Sequence, residues 1–478
     1  MGLGYSLNKI QDAARAMFIQ KKLDSRKWSR QELMQYQQQR LSSLVRHAVR
    51  YSPFYRELYR NVKAENSMKL DDLPVINKAT MMENFDAFVT DPRLKLQGLL
   101  AHIGQIGQND AFYLDEYRVL TTSGSSGLKG VFVSNRKEWR TASAVYYRCG
   151  AIMGMKARLP RSKMAFVAAG SPIHVSYRVS TSNDVGFLNI KRLEATTPVE
   201  DLVTALNAFQ PECLCGYPSV MALLALDQWE GRMHIHPRVI STNGELLTGD
   251  MIQKIHEAWG IVPYNFYGLT ESGLILGSDC SFHRGIHVFE DLFIVEVVDE
   301  KNRPVPDGAT GDKFLITNLF NFTQPLIRYE ISDMINMASA PCPCGSPFRQ
   351  ITVMEGRSDD FVYLQSVRGY DIAVHPLNFR SPLIAFPEIK EYQIIQEIDG
   401  IDVFVVLKQG VSSDQVVEAV KNKLIEKINS LNALCPDIRI KVVPRLNRDN
   451  RKMGKLRLVK SNVKKDRSPK LGESNPLA

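Results

Sequence analysis

Long apolar runs are missing from this sequence. No window approaches the roughly 18 consecutive apolar residues of a membrane-spanning helix, so none is expected. Residues 1–22 hold no apolar core followed by a small-residue cleavage site, and no secretory leader is expected. Cysteine is scarce: seven residues, an odd number at spacings unlike a disulfide framework, which makes the reducing cytoplasm the expected home. Nothing repeats at solenoid periods. The basic residues show no interleaved aromatics and no helix-turn-helix pattern, which argues against a nucleic-acid partner. A Walker phosphate loop is absent too: no Gly-Lys followed by Ser or Thr stands after its four-residue gap.

What remains is the make-up of a folded enzyme-sized chain. Hydrophobic residues at 44% and charged residues at 23% are ordinary for a globular protein, and 478 residues suffice for two to four domains at roughly 150 residues each. Lys and Arg number 60 against 51 Asp and Glu, a net +9 that suits an anionic ligand such as a nucleotide, coenzyme A or an acidic carrier protein. Part of the excess sits in Lys464, Lys465, Arg467 and Lys470, read as a solvated, frayed tail.

Periodicity predicts an α/β protein. Ser29 and Glu32 form a capping box for an N-terminal helix whose face carries Leu41, Leu44, Val45 and Ala48, stopped at Ser52-Pro53. Apolar runs at residues 164–169, 213–216, 239–242 and 261–266 read as strands, with a helix from about Ser219 and another capped near Thr248 and ended at Gly260. Alternating strands and helices predict right-handed crossovers in a mostly parallel sheet flanked by helices. Residues 293–298 and 313–319, separated by Pro304, Pro306, Gly308 and Gly311, form a β-hairpin-rich region. A smaller α+β unit follows, with strands at 401–407 and 438–443 and a helix at 413–428. The expected domains are 1–356, 357–461 and a tail at 462–478.

Five stretches carry chemistry. The first runs from Thr122 through Ser123, Gly124, Ser125, Ser126 and Gly127 to Lys129; glycines admit phosphate oxygens close to the backbone, hydroxyls and amides donate to them, and lysine adds charge. The second, Tyr267-Gly268-Leu269-Thr270-Glu271, ends a predicted strand, where open sheets bind ligands; its aromatic can cover an adenine and its carboxylate can hold Mg²⁺. The third, residues 325–333, ends in Asp333, read as a buried carboxylate able to accept ribose hydroxyls. The fourth, around Arg357, Asp359 and Asp360, marks the domain boundary. The fifth, Met453-Gly454-Lys455, puts a lysine on a glycine-bearing loop of the small domain.

In this order the stretches resemble the adenylate-forming superfamily of acyl-CoA ligases, adenylation domains and luciferases. Gly216-Tyr217-Pro218-Ser219, Gly244-Glu245-Leu246, Pro325-Leu326-Ile327-Arg328-Tyr329, Tyr51-Ser52-Pro53-Phe54-Tyr55 and residues 73–78 narrow the resemblance to the phenylacetate-CoA ligase type, including its capsule-biosynthesis-like relatives. The likeness spans roughly residues 30 to 460. It implies ATP-dependent conversion of a carboxylic acid, with an aryl or arylacetic acid favoured, to acyl-AMP and then transfer to coenzyme A. It implies a Ser/Gly loop (Thr122 to Gly127, with Lys129) over the β and γ phosphates, an adenine site lined by Gly244, Glu245, Tyr267 and Gly268, and Thr270 and Glu271 at phosphate and Mg²⁺. Asp333 would hold ribose, Arg357 would lie between ribose and a hinge at Asp359 or, by preference, Asp360, and Lys455 would be the catalytic lysine of a mobile C-terminal lid. Two departures stand out: the phosphate loop is shortened after Gly127, and Glu330-Ile331-Ser332 replaces the family's usual Arg-Thr-Gly before the aspartate.

Cys280, His287, Cys342 and Cys344 make a closed structural zinc set, with His283 as the alternative fourth ligand. The other cysteines (Cys149, Cys213, Cys215 and Cys435) are expected in the core. The acceptor stays open between coenzyme A, an amine and a carrier-protein thiol, with an inactive nucleotide-binding scaffold as the non-enzyme alternative and a homodimer as a further possibility. Pocket candidates for the acid are Phe166, His174, Tyr177 and Tyr217.

Overall fold

The computed structural model describes residues 3–24, 26–61, 69–106, 111–122, 130–156, 158–168, 175–195, 197–245, 247, 249–355, 362–369, 371–374, 377–386, 388–407, 410–444, 446 and 459–463. The chain divides into two compact units, Met1–Ser358 and Asp359–Ala478.

In the first unit the helix Arg30–Tyr51 starts at the expected capping box, with Ser29 Oγ accepting from Glu32 N at 3.2 Å and Glu32 Oε2 accepting from Ser29 N at 2.8 Å. Its apolar face (Leu41, Leu44, Val45, Ala48) is fully buried, a gain of about 1.5–3 kcal/mol for each large side chain. Gln37 on the same helix donates to the carbonyls of Glu290 and Phe293 at 2.8 and 3.0 Å, and so ties the helix to the first strand of a three-stranded sheet. The helix stops at Ser52, whose hydroxyl caps the next helix, Pro53–Leu58, with proline at a position that needs no N–H.

A nine-stranded sheet forms the body of this unit. Asn189–Glu194, Lys163–Ala168, Cys213–Gly216, Val239–Asn243 and Tyr264–Leu269 run parallel. Leu274–Ser278, Ile286–Val288, Gln350–Glu355 and Met334–Met337 continue the sheet antiparallel. The sheet is therefore mixed where a mostly parallel one was expected. The cause is local: the short turn after Leu269 folds the chain straight back, where a parallel connection needs a crossover of about a dozen residues. The helices Val199–Phe209, Pro218–Trp229 and Gly249–Trp259 connect the parallel strands. Leu202, Leu206, Met221, Leu224 and Ile255 from these helices bury against Val167, Leu214 and Ile240. The strand expected at 261–266 begins only at Tyr264, because Pro263 has no N–H to give a neighbouring strand. The expected cap at Thr248 lies outside the described residues.

The hairpin-rich region is a separate three-stranded antiparallel sheet of Phe293–Val298, Lys313–Asn318 and Tyr329–Ile331. A two-stranded hairpin, Tyr117–Thr121 with Val131–Asn135, stands beside it. Gln324 holds that hairpin, accepting from Val133 N at 2.7 Å and donating to Val131 O at 3.0 Å. The second unit has a four-stranded sheet (Ile438–Val442, Gly400–Leu407, Ile389–Glu397, Val459–Ser461) packed on the helix Ser413–Asn429, an α+β arrangement. Cys149, Cys213 and Cys215 are buried as expected, but Cys435 is exposed, because it stands in the short segment between the small unit's last long helix and the strand Ile438–Val442.

Arg328, inside one of the stretches that carries the resemblance, is a structural residue. Its guanidinium is 5% exposed and lies 2.9 Å from Glu296 Oε1; it also donates to Leu73 O at 2.7 Å and Asp71 O at 3.1 Å. Arg328→Met strands the buried Glu296 carboxylate and is expected to cost about 3–5 kcal/mol, read as a lower urea midpoint. Adding Glu296→Gln should recover part of that loss.

Candidate active site

Three neighbouring parallel strands end together at one edge of the large sheet. Register pairs Gly216 with Thr242 and Asn243 with Phe266. Tyr217, then Gly244 and Glu245, then Tyr267 and Gly268 thus follow one another along that edge, the usual place for a ligand in such sheets. Tyr217 precedes the helix Pro218–Trp229, and its ring lies against the Gly244 backbone: a Cβ on Gly244 would come 2.9 Å from Tyr217 Cε1. Gly244 also has φ +79°, a left-handed conformation.

After Leu269 the chain turns at once. Gly273 N donates to Thr270 O at 3.0 Å, and the buried Ser272 hydroxyl donates to Leu269 O at 2.8 Å. Within this turn Glu271 is half-buried, with Oε1 3.9 Å from Lys78 Nζ. Lys78 opens the helix Lys78–Glu83, capped by Asn77 Oδ1 accepting from Thr80 N at 2.9 Å. Just before it, Ile76 is stitched beside Tyr329: Ile76 N donates to Arg328 O at 3.2 Å and Glu330 N donates to Ile76 O at 2.8 Å. Asp333 sits in the turn between Tyr329–Ile331 and Met334–Met337, and its Oδ2 accepts from the Tyr267 hydroxyl at 2.7 Å. It is half-buried where a buried carboxylate was expected, because it stands on a turn and not within a strand.

The Ser/Gly stretch connects the two strands of the hairpin. Its neck is closed by Thr122 N donating to Gly130 O at 3.1 Å and Gly130 N donating to Thr122 Oγ1 at 2.9 Å. Ser123, Gly124, Ser125, Ser126, Gly127 and Lys129 themselves lie outside the described residues, as do Arg357, Asp359, Asp360, Lys455 and His174. Phe166, Tyr177 and Tyr217 are half-buried.

No family model matches the chain. Among curated proteins it is 26% identical to a phenylacetate-coenzyme A ligase of Thermus thermophilus over 423 residues, covering 82% of this chain and 86% of that one. It is 23% identical to protein CapK of Staphylococcus aureus, covering 82% of each. Among solved structures it superposes on a 2-hydroxyisobutyryl-CoA ligase with a TM-score of 0.58, at 21% identity and with 89% of this chain and 88% of that one covered. These matches support membership of the adenylate-forming superfamily, phenylacetate-CoA ligase type. The curated matches run through most of the length, as the adenylate-forming resemblance from residue 30 to 460 requires.

Elsewhere in the large unit, the four residues expected at a metal converge. The donor atoms of Cys280, His287, Cys342 and Cys344 all lie within 4.8 Å of one another. Cys280 Sγ is 3.8 Å from Cys342 Sγ, the separation of about 3.8 Å that two thiolates take around one tetrahedral Zn²⁺. Cys344 Sγ is 3.3 Å from His287 Nε2, and Phe348 O fixes the other ring nitrogen at 2.9 Å, the usual support of a ligating histidine. Burial holds the His287 imidazole below its ordinary value, in the neutral form that can bind a metal. His283 is not in the cluster: its Nδ1 meets Asp279 Oδ2 at 2.6 Å and its ring stacks on Tyr264.

Sequence reasoning missed Lys78 as a site residue. Its signal was the stretch at residues 73–78, quoted for resemblance alone. At Gly244, substitution by Ala forces both a left-handed β-carbon and a clash with Tyr217. The expected cost is about 1–2 kcal/mol, measured by urea unfolding.

Proposed function

We propose that this chain is an AMP-forming acid–CoA ligase. A carboxylate oxygen attacks the α-phosphorus of ATP and pyrophosphate leaves. The thiol sulfur of coenzyme A then attacks the acyl carbon, AMP leaves, and the thiol proton goes to solvent. The observation that carries this reading is the convergence of Tyr217, Gly244, Tyr267 and Glu271 on one sheet edge, with Asp333 hydrogen-bonded to Tyr267. The aromatic rings offer a flat apolar surface to a base, Asp333 offers acceptors to ribose, and Thr270 with Thr122 to Lys129 offers donors to phosphates.

Negative charge grows on the phosphoryl oxygens as the acid attacks, and fixed positive charge lowers that barrier. Glu271 is an oxygen ligand of the kind Mg²⁺ takes, and the bound ion would neutralise phosphate charge. Lys455, by its match to the family's C-terminal lysine, serves the adenylation step, and the small unit acts as the mobile lid that carries it, with the hinge at Asp360 and Arg357 beside it. The name of the Thermus relative supports an arylacetic acid as substrate and coenzyme A as acceptor. Cys280, His287, Cys342 and Cys344 would hold a structural zinc, since a fully protein-ligated tetrahedral site has no open position for chemistry. No helix among the described residues is long and apolar enough to cross a membrane, in keeping with a proposed cytoplasmic site of action.

Acid-dependent ATP–pyrophosphate exchange tests the reading. Exchange should appear with one class in a panel of aryl, arylacetic and fatty acids and fall by about 10²–10³ in Lys455→Ala and in Glu271→Gln. Measurable ATP binding with no exchange for any acid would favour a scaffold. Elemental analysis of the purified chain should find one zinc per molecule. Cys344→Ser should lose that zinc and melt at lower temperature, because the site contributes its binding free energy to the fold.

A further inference from the structure

The link between Tyr267 and Asp333 ties a strand of the nine-stranded sheet to the turn through which the three-stranded sheet leads into Met334–Met337. Tyr267 lies in Tyr264–Leu269, one residue past that strand's last pair with Val239–Asn243 (Asn243 with Phe266) and opposite Gly277 of Leu274–Ser278, just before the register shifts. Its ring is held at 6.3 Å, centroid to centroid, from the fully buried Phe314. Its backbone is thus paired on one side, and its ring packs against the core. Asp333 is different. It sits on the short turn that leaves the three-stranded sheet, and the outer torsion of an aspartate side chain is broad and only weakly quantised. The 2.7 Å bond from the tyrosine hydroxyl to Oδ2 is of the charge-assisted kind. It constrains the plane of the carboxylate, and that plane sets the direction in which its oxygens accept hydrogen bonds.

We infer that the Tyr267 hydroxyl is a positioning group for sugar recognition. The ring covers the base while the hydroxyl orients Asp333 to read the ribose hydroxyls, so that one side chain couples recognition of base and sugar. The inference rests on the proposed nucleotide site and adds to it a role for a single oxygen atom. A tyrosine that served only as a shelf would work equally well as phenylalanine.

The experiment is equilibrium binding of AMP, 2′-deoxy-AMP and 3′-deoxy-AMP to the full chain and to Tyr267→Phe. In the unaltered chain each deoxy nucleotide should bind more weakly than AMP. In Tyr267→Phe the affinity for AMP should fall about ten- to hundredfold, the worth of one hydrogen bond to a charged group. The affinities for the deoxy nucleotides should fall less, so the discrimination between ribose and deoxyribose shrinks. Asp333→Asn, which keeps size and removes charge, should shrink it too, and adding Tyr267→Phe to it should have little further effect. A uniform loss for all three nucleotides, with discrimination unchanged, overturns the inference and leaves the nucleotide site standing. If the unaltered, folded chain binds none of them, the nucleotide site itself is wrong and the inference falls with it. Thermal melting of each variant separates either result from misfolding.

Discussion

The guanidinium of Arg328 is the interaction on which the large unit's site depends. Desolvating a charge costs several kcal/mol, and the side chain of its partner Glu296 is itself only 12% exposed. Such a pair persists only if the remaining donors find acceptors. Here they do, and the acceptors are the carbonyls of Asp71 and Leu73. A charge that had to be satisfied has thereby fixed a segment whose regular structure before Lys78 is a single 3-10 turn, Leu70–Asp72. That segment continues through Ile76, stitched beside Tyr329, to Lys78 at the side of Glu271. The residue has φ +49°, an uncommon conformation for arginine, which the surrounding hydrogen bonds hold in place.

A second constraint is polar mortar between sheets. The hairpin that carries the Ser/Gly stretch is only two strands wide, and such a hairpin is marginal by itself. Gln324 gives and accepts along its edge strand as a further strand would, and Asn321 donates to Val133 O at 2.9 Å. Glu138, just past the hairpin, accepts from Phe322 N and Thr323 N at 2.8 and 3.0 Å. Burial raises its carboxyl above the ordinary value while these donors pull it down. The hairpin at the neck of the Ser/Gly stretch is thus held by side chains 180 or more residues distant in sequence.

Much of this was legible beforehand, for physical reasons. The capping box at Ser29 and Glu32, the apolar face at Leu41 to Ala48 and the parallel strands are local patterns, and local patterns survive folding. The edge carrying Tyr217, Gly244 and Tyr267 could be anticipated because strand ends and turn residues mark it. The antiparallel half of the sheet could not. Ile286–Val288 is three residues long, too short for alternation to register, and its pairing with Gln350–Glu355 is a long-range event. The roles of Lys78, Gln324 and Glu138 were hidden for the same reason: each is defined by a partner far away in the chain. Arg328 shows the reverse case, a stretch that helps reveal the family although its arginine serves the fold.

The mixed sheet has a consequence for precision at the site. Had the sheet ended at Tyr264–Leu269, the strand bearing Tyr267 would have been an edge, with one row of backbone groups unpaired and room to shift. The antiparallel extension makes it an interior strand. Asp279 N donates to Asn265 O at 2.8 Å, and a Cβ at Gly277 would stand 2.4 Å from His287 O, so the extension lies tight against its neighbours and leads into the Cys/His cluster. Tyr267 therefore rests on a paired strand and Glu271 on the tight turn that closes it, while Asp333 rests on the turn before Met334–Met337. A site needs its recognition groups held to within about 0.5 Å. The framework supplies that for the aromatic, and the aromatic's hydroxyl contributes to it for the carboxylate.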